Sequence, residues 1–81
     1  MTALARAAGI LCNDARFQRF VAQRIDLPTG QATASAAAEY LRRQCRIDSR
    51  RQLDTDPAAA SRFAALRTDF DAWRGRIATP R

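Results

Sequence analysis

A stripe of large apolar side chains in the last third of this 81-residue chain limits its fold more than any other feature. The stripe residues recur at spacings of three and four positions, as they do on one face of an α-helix. They are Phe63, Leu66, Phe70, Trp73 and Ile77. Asp56 followed by Pro57 is a helix start signal, because Asp caps a first turn in which Pro fits well. We predict a helix over residues 57–76 whose aromatic stripe forms the centre of the core.

Two further helices are predicted upstream from caps and apolar periodicity. Asn13 is suited to cap a helix over residues 14–25, and Thr33 or Ser35 a helix over residues 34–47. Helical spacing places the apolar side chains of each on one inward face: Phe17, Phe20, Val21 and Ile25 on the first, and Ala37, Tyr40, Leu41 and Cys45 on the second. The segment between the two helices contains Pro and Gly and is expected to form an exposed loop. No alternating run of β-branched residues predicts a strand.

Two short helical pieces complete the predicted fold. Thr2 is a candidate cap for one around residues 3–11, and Ser49 with Gln52 has the spacing of a capping box for another around residues 50–54. The predicted fold is therefore all-α, a compact small bundle of three main helices plus short helical turns. It forms a single domain of 81 residues, and so short a chain leaves both a monomer and a homodimer open.

The chain is strongly basic, with a net charge of +6 and a pI of about 11.2. All fourteen basic residues are arginine. Arginine binds phosphate and carboxylate groups through two parallel hydrogen bonds, which favours an acidic partner. A GC-rich genome, whose codons favour Arg and Ala, explains the same bias without a binding role, and the abundance of Ala favours this second explanation.

Five arginines within ten residues are the best candidate for a binding surface. They are Arg42, Arg43, Arg46, Arg50 and Arg51. Their guanidinium groups would neutralise several phosphates. Cations also stabilise a helix C-terminus, and Glu39 is placed to pair with Arg42 or Arg43. A purely structural role thus explains the first three arginines but not Arg50 and Arg51.

A smaller patch is formed by Arg16 and Arg19 on the outward face of the helix over residues 14–25, with Gln18 and Gln23 beside them as candidate hydrogen-bonding residues for bases or protein. A solvated helix face is the more frequent outcome for such a patch. Over both patches, the predicted contact residues are Arg16, Arg19, Arg42, Arg46, Arg50 and Arg51. Trp73 would offer nucleic-acid bases a stacking platform, but its helical spacing favours core packing.

Groups that catalyse reactions are scarce in this sequence. Histidine is absent, and the three glycines are scattered rather than gathered in a phosphate-binding loop. Two acidic pairs, Asp54 with Asp56 and Asp69 with Asp71, fit capping and ion pairing better than acid–base chemistry. We therefore expect a binding protein rather than an enzyme, with no cofactor and no metal.

The two cysteines and the apolar runs indicate the cellular compartment in which the protein is expected. Cys12 and Cys45 lack a histidine partner for a zinc site and are expected to be buried free thiols rather than a disulfide. The apolar run at residues 10–12 is too short for a signal peptide, and no long apolar span follows. Neither secretion nor a membrane helix is predicted, and the cytosol is the expected location.

Three stretches carry a resemblance to known proteins. They are AGILCND at residues 8–14 with RFQRF at 16–20, SRRQLD at 49–54, and DPAAA at 56–60 followed by Arg62 and Phe63. Together they resemble small, poorly characterised helical proteins encoded by phages and prophages of GC-rich bacteria, often near recombination and defence-related genes. The resemblance covers most of the chain except the loop around Pro28, and it brings no catalytic or ligand residues with it.

This resemblance implies a phage protein acting in the host cytoplasm. Very small phage-encoded binding domains often inhibit host defence complexes, anti-CRISPR proteins among them, and others assist recombination or replication on DNA. The leading hypothesis is a stoichiometric inhibitor that docks on a host protein or ribonucleoprotein complex, with a CRISPR effector as the first candidate. The alternative is a basic accessory protein that binds DNA or RNA directly, and neither function involves a membrane.

Overall fold

Four α-helices and two 3-10 turns form the structure, a computed structural model that describes residues 3–78, and their side chains except those of residues 29 and 76–78. The helices are α1 (Ala3–Cys12), α2 (Ala15–Arg24), α3 (Ala34–Cys45) and α4 (Pro57–Ala78). The first 3-10 turn is Thr29–Gln31 and the second is Arg50–Asp54. No strand occurs within residues 3–78, and the all-α prediction is confirmed.

The predicted count of three main helices is wrong, because α1 is as long as α2. The carboxylate of Asp54 accepts hydrogen bonds from the amide N–H of Leu4 at 2.9 Å and of Ala5 at 3.1 Å. These bonds satisfy donors that a first helical turn otherwise leaves free. The predicted cap, Thr2, lies outside the described residues. A residue about fifty positions away therefore stabilises the start of α1.

Most of the predicted caps are confirmed, with one shift. Thr33 caps α3, and Ser49 forms a capping box with Gln52 at the second 3-10 turn. The cap of α2 is Asp14, which accepts from the backbone N–H of Arg16 at 2.8 Å, rather than Asn13. The structure ends α3 two residues earlier, and α4 two residues later, than predicted.

The core is centred on Phe20 of α2 as much as on the stripe of α4. Its ring centroid lies 5.5 Å from that of Phe70, 5.7 Å from Trp73, 5.8 Å from Phe17 and 6.4 Å from Tyr40. Aromatic pairs at these separations contribute about 0.5–1.5 kcal/mol each beyond their buried area. Helices α2, α3 and α4 therefore meet around one ring.

Burial follows the predicted helix faces with two exceptions. The buried residues of the predicted faces are Phe17, Phe20 and Val21 in α2, Ala37, Tyr40, Leu41 and Cys45 in α3, and Phe63, Leu66 and Phe70 in α4. Trp73 is half-buried, and the side chain of Ile77, the last residue of the predicted stripe, lies outside the described part of the chain. Ile25, predicted to face inward, is 44% exposed, because α2 ends at Arg24 and the chain turns through a positive φ at Asp26.

We expect Phe70→Ala to lower the free energy of unfolding by about 3–5 kcal/mol, because Phe70 is buried among three aromatic rings and the change leaves a cavity. Urea denaturation followed by circular dichroism measures this. Ala65→Ser, on the exposed side of the same helix, is the control and should change little. An unchanged melting temperature for Phe70→Ala would contradict this account of the core.

Asp54→Ala should lower the free energy of unfolding by about 0.5–2 kcal/mol, the usual effect of losing a helix cap. Because the carboxylate bonds the first turn of α1, amide hydrogen exchange should speed up in α1 and not in α4. Asp48→Ala, an exposed carboxylate without a side-chain hydrogen bond among the described residues, is the matched control. Equal effects of the two substitutions would refute the capping role.

Candidate binding surfaces

The chain reverses after α3 through a left-handed turn at Arg46, with φ 58° and ψ 50°. The N–H of Arg46 donates to the carbonyl of Arg43 at 3.3 Å, and that of Ile47 to the carbonyl of Arg42 at 3.0 Å. Glycine is the usual residue at such a helix end, because a Cβ is unfavourable at positive φ. This strained position is occupied by an arginine instead.

The capping box then starts the second 3-10 turn. The side chain of Gln52 accepts from the N–H of Ser49 at 3.0 Å, and the hydroxyl of Ser49 accepts from the N–H of Arg51 at 3.3 Å. Arg50 and Arg51 occupy the first two positions of this turn. The reversal at Arg46 and the box at Ser49 therefore bring together arginines from two elements.

Two shallow depressions join these arginines into one surface. One, of about 410 Å³, lies among Glu39, Arg42, Arg43, Arg46 and Asp48, and the other, of about 360 Å³, among Arg42, Asp48, Arg50 and Arg51. They are contiguous because Arg42 and Asp48 line both. We call the set Arg42, Arg43, Arg46, Arg50 and Arg51 the arginine surface. Four of the six predicted contact residues belong to it.

Carboxylates neutralise only part of the arginine surface. Glu39 accepts hydrogen bonds from Arg42 and from Arg43, each at 3.1 Å, and these bonds hold the pKa of Glu39 below its usual value. Among the described residues, neither Arg46 nor Arg51 has a carboxylate within ion-pair distance. Five guanidinium groups face two carboxylates in the two depressions, so the surface carries a net positive charge.

Arg50 has an additional contact inside the fold. A Cβ placed on Gly9 would lie 3.8 Å from the guanidinium carbon of Arg50, so this side chain packs over the backbone of α1. Through Arg50, the arginine surface is in contact with α1.

The other two predicted contact residues, Arg16 and Arg19, lie elsewhere. They line a groove between α2 and α4 together with Gln23, Trp73 and Arg74, and no member of the arginine surface lines it. The predicted contact set is thus divided between two sites. Arg74 was missed as a site residue, and Trp73 was assigned to the core, because helical periodicity in α4 does not indicate which stripe residue lies at an open end.

The cysteines are confirmed as buried free thiols. Burial raises the pKa of Cys12, an effect that the neighbouring Arg50 opposes without cancelling. Burial likewise raises the pKa of Cys45, against the charge of Arg62. Because the thiolate is the nucleophile, thiols with a raised pKa are poor nucleophiles at neutral pH.

The acidic pairs serve structural roles. Asp54 and Asp56 cap α1 and α4, while Asp71 pairs with Arg74 at 2.7 Å and Asp69 lies 3.7 Å from Arg24. Within the described residues, no group of three or more His, Cys, Asp or Glu side chains is placed to hold a metal ion. In the same part of the chain, no helix combines the length and the apolar composition needed to cross a membrane.

Comparison of the chain with protein-family models, with curated proteins and with solved structures gives no match. The resemblance to small phage-encoded proteins therefore stays a prediction, carried by the residues quoted for it.

Arg46→Gly should raise the free energy of unfolding by about 1 kcal/mol, because glycine adopts the left-handed conformation without the strain of a Cβ. Thermal and urea denaturation measure the change. Arg51→Gly is the control, since Arg51 lies in a turn where φ is not positive, and it should not stabilise the protein. A loss of stability in Arg46→Gly would mean that the Arg46 side chain itself stabilises the fold.

Proposed function

We propose that this protein is a non-enzymatic binding protein that docks through its arginine surface on a nucleic-acid-handling complex. The observation that carries the proposal is the incomplete neutralisation of that surface. Arg46 and Arg51 have no carboxylate within ion-pair distance among the described residues. Charged groups without local partners are available to an external acidic group.

The strained backbone at Arg46 supports the same proposal. Asn and Gly suit the left-handed conformation better than arginine does, so arginine at this position lowers stability. A residue that lowers stability in this way is commonly found where its side chain serves function. Arg46 follows the last residue of α3 and lines one depression together with Arg42 and Arg43.

The phage setting of the proposal rests on the resemblance of residues 8–20 and 49–63. In that setting the complex is a host defence assembly, with a CRISPR effector as first candidate, and inhibition is stoichiometric. The protein would block target access by occupying the site or by holding the complex inactive. Arginine suits such an interface because its stem packs against the partner while its planar end forms several hydrogen bonds.

Direct binding to DNA or RNA is the second candidate, favoured by the net positive charge of the arginine surface. A protein that contacts phosphates releases counterions, so its affinity falls steeply with salt. Docking of the same arginines on an acidic protein face does not require free nucleic acid. Binding to free DNA or RNA therefore separates the two candidates.

The double variant Arg46→Ala/Arg51→Ala tests both. If the protein docks on a host complex, tagged wild-type protein should retain effector subunits after nuclease treatment, restore plaquing of a CRISPR-targeted phage, and lose both properties in the variant. The control is Arg6→Ala/Arg67→Ala, which removes the same charge from exposed positions that line neither surface and have no carboxylate within ion-pair distance among the described residues.

Fluorescence anisotropy with single- and double-stranded DNA and RNA tests the second candidate. If phosphates are contacted, the negative slope of log affinity against log salt should become shallower by roughly 0.7–0.9 for each arginine removed. Unchanged plaquing together with no retained subunit excludes the inhibitor. No binding to any nucleic acid at low salt excludes the second candidate.

A further inference from the structure

The groove between α2 and α4 differs chemically from the arginine surface. It has a volume of about 660 Å³ and is lined by Trp73 and by the polar residues Arg16, Arg19, Gln23, Asp71 and Arg74. Small-molecule and peptide side-chain sites have volumes in this range and combine an apolar wall with a few placed polar groups.

The apolar wall of the groove is held in position by several contacts. The indole of Trp73 stacks on Phe70 with ring centroids 6.0 Å apart and 21° between planes, and its ring centroid lies 5.7 Å from that of Phe20. Its N–H donates to the side-chain oxygen of Gln23 at 3.0 Å. A ligand that contacts this wall therefore loses little side-chain entropy in ordering it.

Two of the three arginines in the groove already have carboxylate partners. Arg16 donates twice to Asp14, at 3.3 and 3.2 Å, and Arg74 donates to Asp71 at 2.7 Å while lying 4.9 Å from the ring centroid of Phe70. Arg19 has no carboxylate within ion-pair distance among the described residues. The groove thus offers an apolar wall and one unpaired positive charge.

We propose that this groove binds a segment of a partner protein that carries an apolar side chain next to a single carboxylate. The apolar side chain packs on Trp73, and the carboxylate pairs with Arg19. Trp and Arg are the residues that most often dominate protein–protein binding energy. A nucleic-acid strand fits less well, because it presents a run of phosphates, whereas the described residues of the groove offer one unpaired positive charge.

This inference assigns a partner chemistry to Arg19, and it goes beyond the proposed function, which concerns the arginine surface. In the proposed complex the arginine surface would bind a polyanionic region of the partner, and the groove would bind one segment of a partner protein. Since no residue lines both, each is tested separately.

The test uses the single tryptophan of the chain as a reporter. The indole N–H of Trp73 gives one side-chain cross-peak in the spectrum of the full-length ¹⁵N-labelled protein. Two synthetic heptapeptides are titrated, one with Phe followed by Glu in a Gly/Ser background and the other with Phe followed by Gln. We expect the Glu peptide to shift the indole cross-peak saturably and the Gln peptide to bind roughly tenfold more weakly.

Two variants locate the effect. Arg19→Gln should remove the preference for the Glu peptide, because the unpaired charge is lost, while Arg51→Gln on the arginine surface should bind both peptides as the wild type does. An indole cross-peak that does not move with either peptide overturns the proposal, as does equal affinity for the two peptides. A larger response to oligothymidylate than to the Glu peptide also overturns it, in favour of a nucleic-acid occupant.

The outcome is separable from that of the proposed function. Peptide binding at the groove without capture of any host complex or nucleic acid would leave the groove assignment standing and remove the proposed function. Capture that depends on Arg46 and Arg51, with no peptide response at Trp73, would support the proposed function and remove the groove assignment.

Discussion

The packing of Phe20 against Phe70 and Trp73 is the interaction on which the rest of the structure depends. A chain of 81 residues has few large apolar side chains, so the burial of each contributes a large share of a small net stability. Here one ring of α2 meets rings of α3 and α4 at 5.5–6.4 Å. Two guanidinium groups lie over rings of this cluster. The guanidinium carbon of Arg24 is 4.9 Å from the ring centroid of Phe20, and that of Arg74 is 4.9 Å from the ring centroid of Phe70. The groove is lined by residues of α2 and α4, the two helices that this packing joins.

A second, polar constraint organises the opposite part of the molecule. Asp54 ends the second 3-10 turn and bonds the first turn of α1, while Arg50 from the same turn packs over Gly9. The turn is therefore held against α1 at two points. Because Arg50 and Arg51 belong to it, the position of two of the five residues of the arginine surface depends on contacts that also stabilise α1. Stability and the candidate binding surface are coupled through one short element.

The two candidate surfaces differ in the chemistry that each offers. The arginine surface has more guanidinium groups than carboxylates and little apolar area beyond Ile47, which suits phosphates or a strongly acidic protein face. The groove has mostly paired charges and a fixed indole, which suits a protein side chain. A protein that docks on a nucleoprotein complex would meet both kinds of surface at once. This combination is the physical basis for proposing such a complex over free nucleic acid.

Local chemistry was sufficient to predict much of the fold. Periodicity identified the buried faces of α3 and α4, and short-range capping identified Thr33, the Ser49–Gln52 box and the start of α4, since each depends on residues at most four positions apart. The sequence also indicated the cluster of five arginines, because they are close in the chain. Tertiary structure alone decided that Asp54 caps α1 and that Trp73 lines a groove with Arg19. These outcomes depend on which helices meet and at what angle, and that is set by packing between residues about fifty positions apart, which no local pattern encodes.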